Sequence, residues 1–289
     1  MTMAFDYLEP RSIDEGIALA RRFGATASFI AGGTDLVIQM RRKQRQPAQV
    51  ISLQALDELK LIGCEAGYIV IGALVTHKQL EAYFADMPGM LGLIESAQVI
   101  GGHQVRNTGT IGGNICNASP AADLLPQLLT LDAEVELAGP AGRRWLKLSD
   151  FLLGPRRTAR AEDELLTRVR FAEPAAGSAT AFIKAGRRRA MEISLISVAV
   201  HIAGASTSNY GQVRIALGAA APVAFRATEA EALLQGGLRD AALLKQAGAL
   251  AAAQAAPLSD VRASADYRRR LIAALVPRAV LQCLERIAS

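Results

Sequence analysis

The 289-residue chain has little with which to do covalent or metal chemistry. Its three cysteines, Cys64, Cys116 and Cys283, lie far apart with no CxxC pair, and its three histidines, His77, His103 and His201, are equally scattered. That spacing leaves no local framework for zinc, an iron–sulfur cluster or a disulfide scaffold. No histidine–carboxylate or nucleophile spacing marks an acid–base or triad constellation either. The cysteines read as small buried hydrophobes. Hydrophobic residues make up 51% of the chain, yet no uninterrupted apolar run reaches the ~20 residues that span a bilayer. The opening Met1-Thr2-Met3-Ala4-Phe5-Asp6 has no basic region followed by an apolar core, so a cytoplasmic protein without a secretory signal is expected. Aromatic residues are only 5%, too few for a base-stacking platform beside the short basic runs Arg41-Arg42-Lys43, Arg187-Arg188-Arg189 and Arg268-Arg269-Arg270. The formal charge of +5 therefore reads as solvated faces or contacts to partner subunits rather than nucleic-acid binding.

What the chain does have is glycine in two particular places. Ala31-Gly32-Gly33-Thr34-Asp35-Leu36 follows the strand-like run Ala27-Ser28-Phe29-Ile30 and leads into a helix-like stretch, 36–42. Two glycines permit unusual backbone angles and close ligand approach, and the first N–H groups of a helix offer donors to an anion. The spacing matches neither GxGxxG nor a P-loop. A carboxylate beside a phosphate would repel it, so Asp35 is expected to cap the helix start and Thr34 to offer its hydroxyl. By itself such a turn is ordinary turn chemistry. A second stretch, Thr108-Gly109-Thr110-Ile111-Gly112-Gly113-Asn114, repeats the flexible backbone and small hydrogen-bonding side chains, with Arg106 upstream as a candidate phosphate partner. Two such loops imply a ligand gripped from two sides.

The rest reads as alternating α and β elements. Ser12 with Glu15, and Thr76 with Gln79, are capping boxes, and Gly24 is placed to end the first helix. Strands are expected near 50–53, 68–71, 133–137 and 165–171, with helices at 91–99 and 126–131. Around Glu173-Pro174-Ala175-Ala176-Gly177-Ser178 the pattern loosens into turn-forming residues, which marks a domain boundary. Three strands follow, near 181–184, 197–202 and 212–217, the last two joined as a hairpin, and then alanine-rich helices with Pro257 between them and Pro277 expected to kink the last.

The two glycine segments, with Ser119-Pro120-Ala121-Ala122-Asp123-Leu124-Leu125-Pro126, the Gly72–His77 segment and Phe182-Ile183-Lys184-Ala185-Gly186-Arg187-Arg188, resemble the FAD-binding medium subunit of the molybdenum hydroxylases, the xanthine dehydrogenase and aerobic carbon monoxide dehydrogenase family. The resemblance spans nearly the whole chain. It implies an α+β fold: a two-part FAD-binding domain of the vanillyl-alcohol-oxidase (PCMH) type over 1–175, then a smaller CO dehydrogenase flavoprotein-type domain of three-stranded antiparallel sheet and helices over 176–289. It also implies FAD contacts from Ile30, Ala31, Gly32, Gly33, Thr34, Asp35 and Leu36, and from Thr110, Ile111, Gly112, Gly113 and Asn114. Asp123, Leu166 and Lys184 match further cofactor contacts, and Ile100 or Gly101 falls beside the flavin ring. Read from the residues alone, Asp123 is equally a helix N-cap, and Leu166 and Ile100 pass as core; Lys184, on an apolar strand, needs a partner. Tyr83, Phe84 and Trp145 read as core or rim aromatics.

The function implied is an electron relay. A small subunit with two [2Fe-2S] clusters and a large molybdenum-cofactor subunit would complete a dimer of heterotrimers, with no metal bound by this chain and no catalytic side chain required of it. Lys184 and Arg187 are the candidates to stabilise a reduced, anionic flavin. A self-contained flavin oxidoreductase of the same broad fold, such as the enolpyruvyl-reducing type, is the alternative, and a nucleotide-binding assembly protein without flavin is a third.

Overall fold

Residues 6–52 of the computed structural model build a parallel β-α-β-α-β unit. The structure describes residues 4–188 and 191–288; the start of the chain used in the leader reading and Arg189 of the 187–189 basic run lie outside the described residues. Strands β1 (Asp6–Leu8), β2 (Ala27–Ile30) and β3 (Gln49–Ser52) form a sheet in the order β1-β3-β2, every pair parallel. Parallel neighbours need crossover connections, supplied by α1 (Ile13–Phe23) and α2 (Leu36–Arg41). The start of α1 is where Ser12 sets it, its hydroxyl accepting the Glu15 N–H at 3.1 Å, and Gly24 at φ 51° ends it. Ile13, Ile17 and Ala20 recur at helical spacing and are buried.

The chain then lays down β4 (Ile62–Glu65), β5 (Tyr68–Gly72), β6 (Glu134–Gly139), β7 (Gly142–Lys147), a small hairpin of β8 (Leu152–Gly154) and β9 (Arg157–Thr158), and β10 (Leu165–Ala172). β10 inserts between β5 and β6, giving an antiparallel sheet ordered β4-β5-β10-β6-β7. Alternation along these strands puts Ile69, Ile71, Val135, Leu137, Val169 and Phe171 into one core with Phe84 and Leu93. On the alternate positions Arg170 lies 4.7 Å from the Tyr68 ring and 4.0 Å from the Trp145 ring.

Between β5 and β8 run α3 (His77–Tyr83), α4 (Leu91–Gln98), α5 (His103–Thr108), α6 (Ile111–Asn117), α7 (Leu124–Thr130) and α8 (Leu148–Phe151). The Thr76–Gln79 capping box forms as expected. The stretch read as an open glycine loop is instead largely helical, wound into α5 and α6. Thr110 caps α6 by accepting the Gly113 N–H, and Gly112 lets the helix lie on Ala73, where a Cβ would come within 2.7 Å of both the Ala73 Cβ and its carbonyl oxygen.

The last sheet comprises β11 (Ala179–Ala185), β12 (Ile196–Ala203), β13 (Gln212–Gly218) and β14 (Phe225–Arg226), all antiparallel neighbours. It therefore has four strands, not three; β14, two residues long, is too short to show a period. Helices α9 (Thr228–Leu234), α10 (Ala241–Gln254) and α11 (Ala265–Ala288) cover one face over Ala181, Val198, Val200 and Ile215. Pro277 stays inside α11, and Gly248 of α10 passes close by. The other face meets α4 and α7. There Thr180 accepts the Gly92 N–H at 2.9 Å and donates to the Gly89 carbonyl at 2.8 Å, while Glu95 accepts the Phe182 N–H at 3.0 Å and pairs with Arg286. Among the described residues no helix is long and apolar enough to cross a membrane.

Candidate functional site

The two glycines of the first turn serve different ends. Gly33 has φ 70°, a conformation open to glycine at little cost. Gly32 has an ordinary φ, but a Cβ there would lie 1.8 Å from the Thr108 carbonyl oxygen, because the turn between β2 and α2 presses on the C-terminal end of α5. The Gly32, Gly33, Thr34 and Asp35 N–H groups make no hydrogen bond within the described structure. Successive unpaired amides in a concave turn form an anion-binding cradle.

The second segment is built differently. Its amides are already engaged: Ile111 N–H to the Val75 carbonyl and Gly112 N–H to the Ala73 carbonyl at 2.9 Å each, Gly113 N–H to Thr110 Oγ1 at 3.0 Å, and Asn114 N–H to the Thr110 carbonyl at 2.9 Å. What it presents is a glycine-smooth helix surface beside the first turn, with the Asn114 Oδ1 buried and unpaired.

Together they wall a cleft of about 410 Å³. Ile30, Ala31, Gly32, Gly33, Thr34, Asp35, Leu36, Ile100, Thr110, Gly112, Gly113, Asn114 and Leu166 all line it. Ile111 is fully buried in the core behind it. Gly101, at φ 52°, follows Ile100 and packs on Val105. Of the ring aromatics, Phe29 lines the cleft, whereas Phe84 is core, Tyr83 packs edge-on to it and Trp145 stacks with Arg170.

Two side chains behave otherwise than expected. Asp35 does not cap α2, since its carboxylate accepts no amide of the helix. Burial raises its pKa and the charge of Arg156 pulls it back. Arg106 turns away from the cleft. It pairs with Glu81 at 3.1 Å and reaches the Ile100 carbonyl and His103. The positive charge at the cleft comes instead from Arg45, Arg156 and Arg160. Arg160 is held by the carbonyls of Ala161, Glu162 and Glu164, near the Phe29 ring. Sequence reading missed these three, along with His77, Gln39 and Asn117; the Arg156-Arg157 pair in a turn was the available signal.

Asp123 and Lys184 do not line the cleft but meet behind it. Lys184 Nζ lies 2.8 Å from Asp123 Oδ2 and 3.2 Å from the Val99 carbonyl, and Ser194 donates to the other Asp123 oxygen. This answers the need of a strand lysine for a partner, and it shows that Asp123 does not cap α7. Burial raises the Asp123 pKa, opposed by the Lys184 charge and by the bonds from Lys184 and Ser194. The pair holds an ammonium beside Val99-Ile100, at the edge of the cleft.

Among the described residues no group of three His, Cys, Asp or Glu side chains could hold a metal ion. The cleft suits an anionic ligand with an apolar part: unpaired amides and three arginines line it together with the apolar Ile100 and Leu166, and a paired lysine lies behind.

Comparison with known proteins agrees. Residues 3–174 match the family model for the FAD binding domain in molybdopterin dehydrogenase, and residues 181–283 match the CO dehydrogenase flavoprotein C-terminal domain. The chain is 31% identical over 276 residues to the carbon monoxide dehydrogenase medium chain of Hydrogenophaga pseudoflava, covering 96% of each, and 37% identical over 216 residues to the nicotinate dehydrogenase FAD-subunit of Eubacterium barkeri, covering 73% of each. In structure it resembles carbon monoxide dehydrogenase from Hydrogenophaga pseudoflava with a TM-score of 0.95 at 32% identity, covering 99% of each chain, and quinoline 2-oxidoreductase from Pseudomonas putida 86 with 0.92 at 28%, covering 100% of each. With both halves matched and an oxidoreductase relative aligned along nearly its full length, the chain belongs to the family of FAD-binding subunits of the molybdenum hydroxylases.

Proposed function

We propose that this chain holds FAD non-covalently in the cleft and works as the electron-relay subunit of a molybdenum hydroxylase. The four unpaired amides from Gly32 to Asp35, facing a cleft shared with the second glycine segment, carry this reading. When bound, FAD supplies the exchange between one-electron donors and a two-electron external acceptor. The chain's own residues bind and tune. The Gly32–Asp35 amides take the diphosphate, Arg45 and Arg156 balance its charge at the mouth, and Ile100 and Leu166 keep water from the apolar end. Lys184, steadied by Asp123, adds positive charge near Val99, where a reduced ring would be anionic. A division at 175/176, into a PCMH-type domain and a smaller flavoprotein C-terminal domain, goes with this reading.

Electrons would arrive from two [2Fe-2S] clusters of a small subunit, with substrate oxidised in a large molybdenum-cofactor subunit, in a cytoplasmic dimer of heterotrimers. The relatives named as medium chains and FAD-subunits support this division of labour. The test is anaerobic reduction of the FAD-loaded chain by candidate heteroaromatic or aldehyde substrates, alone and in the assembled complex. Reduction should require the complex. Rapid bleaching in the isolated chain would instead establish the self-contained oxidoreductase.

A further inference from the structure

His77 stands out among the cleft residues because its imidazole makes no hydrogen bond with any described residue. It opens α3, with its backbone N–H given to the Gly109 carbonyl at 3.1 Å. Its side chain is nearly sealed, with the residue only 3% exposed, yet it lines the cleft. Nδ1 is buried with no hydrogen-bond partner. The Nε2–Cδ2 edge lies along Gly109, where a Cβ would come within 3.3 Å of Nε2, and the Gly109 amide is itself against Gly32. The imidazole is thus wedged where the two glycine segments meet. Burial, reinforced by the Arg106 charge, lowers its pKa from 6.5 to about 4, so the ring is neutral near pH 7 and carries one N–H. Nδ1 has neither donor nor acceptor within reach among the described residues, whereas Nε2, which makes no hydrogen bond with them either, is not sealed and is the ring nitrogen from which an N–H can reach the cleft. A ligand in the cleft can give this nearly sealed ring the one hydrogen bond it lacks at Nε2.

We infer that His77 is a cofactor-contacting residue, its neutral imidazole donating Nε2–H to an oxygen of the diphosphate–ribityl stretch of the bound dinucleotide between the two glycine segments. This rests on the FAD reading above.

The experiment uses the full-length chain, stripped of flavin and titrated with FAD, for the unsubstituted protein, His77→Gln and His77→Phe. Glutamine keeps a donor; phenylalanine keeps the ring volume and removes it. His77→Phe should weaken FAD binding about tenfold or more, with His77→Gln recovering most of the loss. Equal affinity in all three, or equal loss in both variants, would overturn the proposal and leave His77 a packing residue. Should His77→Phe not fold, nitrogen NMR of the unsubstituted chain decides. It has only three histidines, and FAD should move the Nε2 resonance of His77 while leaving its Nδ1 without a partner. Unmoved His77 resonances in a chain that binds FAD would refute the contact. A chain that binds no FAD at all would refute the functional reading instead.

Discussion

Replacing Gly32 with alanine adds one methyl group at the tightest point of the cleft. Built on the observed backbone, the new carbon would sit 1.8 Å from the Thr108 carbonyl oxygen and 2.6 Å from its carbon, where ordinary contact begins at 3.4 Å. The obstacle is backbone at the end of α5, so no rotamer change relieves it, and the first turn and α5 must part by more than an ångström. Overpacking of this kind costs about 1–3 kcal/mol, which lowers the melting temperature of a chain this size by several degrees. The same displacement separates the two walls that flank the unpaired amides, so FAD affinity should fall about tenfold or more. Gly63→Ala is the control: its φ is unremarkable for any residue and no atom lies within 4 Å of its added carbon, so it should leave both quantities unchanged or slightly raise stability. The assays are thermal unfolding by circular dichroism and FAD titration of the stripped chain. A Gly32→Ala protein with the melting temperature and FAD affinity of its parent would refute the claim that contact with α5 dictates this glycine.

The remaining predictions follow from the same geometry. Gly33→Val forces a branched residue to φ 70°, and Gly113→Val sets a carbon 3.0 Å from the capping Thr110 Oγ1; both should lose cofactor while keeping most of the far-ultraviolet signal, and full flavin occupancy in Gly33→Val would contradict this. FAD should appear intact in the supernatant after acid precipitation, because burial raises the pKa of the Cys116 thiol and keeps it protonated, while His77 is held against Gly109; flavin left in the pellet would show a covalent link. The lowered pKa of His77, about 4 against 6.5 unfolded, means that the unfolded chain alone binds this proton between those values. Stability should therefore fall as pH drops from 6.5 to 4, by roughly 3 kcal/mol for this group, and His201, lowered mainly by burial, acts in the same direction. The raised carboxyls of Asp35 and Asp123 oppose the trend but persist in His77→Gln, so denaturant midpoints of the two proteins across this range isolate the histidine; identical slopes would disprove its neutral state.

Much of the fold was written in local chemistry. The capping serine and threonine at 12 and 76, the glycine at 24 and the alternating strands 196–203 and 212–218 depend on neighbours within a few positions, and a sequence displays those neighbours directly. The glycine pairs likewise marked the two walls of the cleft. Their reasons were not legible. Whether a glycine is needed for a positive φ, as at Gly33, or for a close approach, as at Gly32 and Gly112, depends on what lies opposite, and that is decided by packing across tens of residues. Arg106 and Arg156 are the same side chain in the sequence. One is neutralised by Glu81 and the other lines the cleft, because α5 and the β8–β9 turn deliver them to different places. The Lys184 partner is 61 positions away at Asp123. Composition and periodicity determined which segments could be helix, strand or turn; only the tertiary structure decided which charges were already spent, because the energy of a buried charge depends on its partner in space and not on its neighbours in the chain.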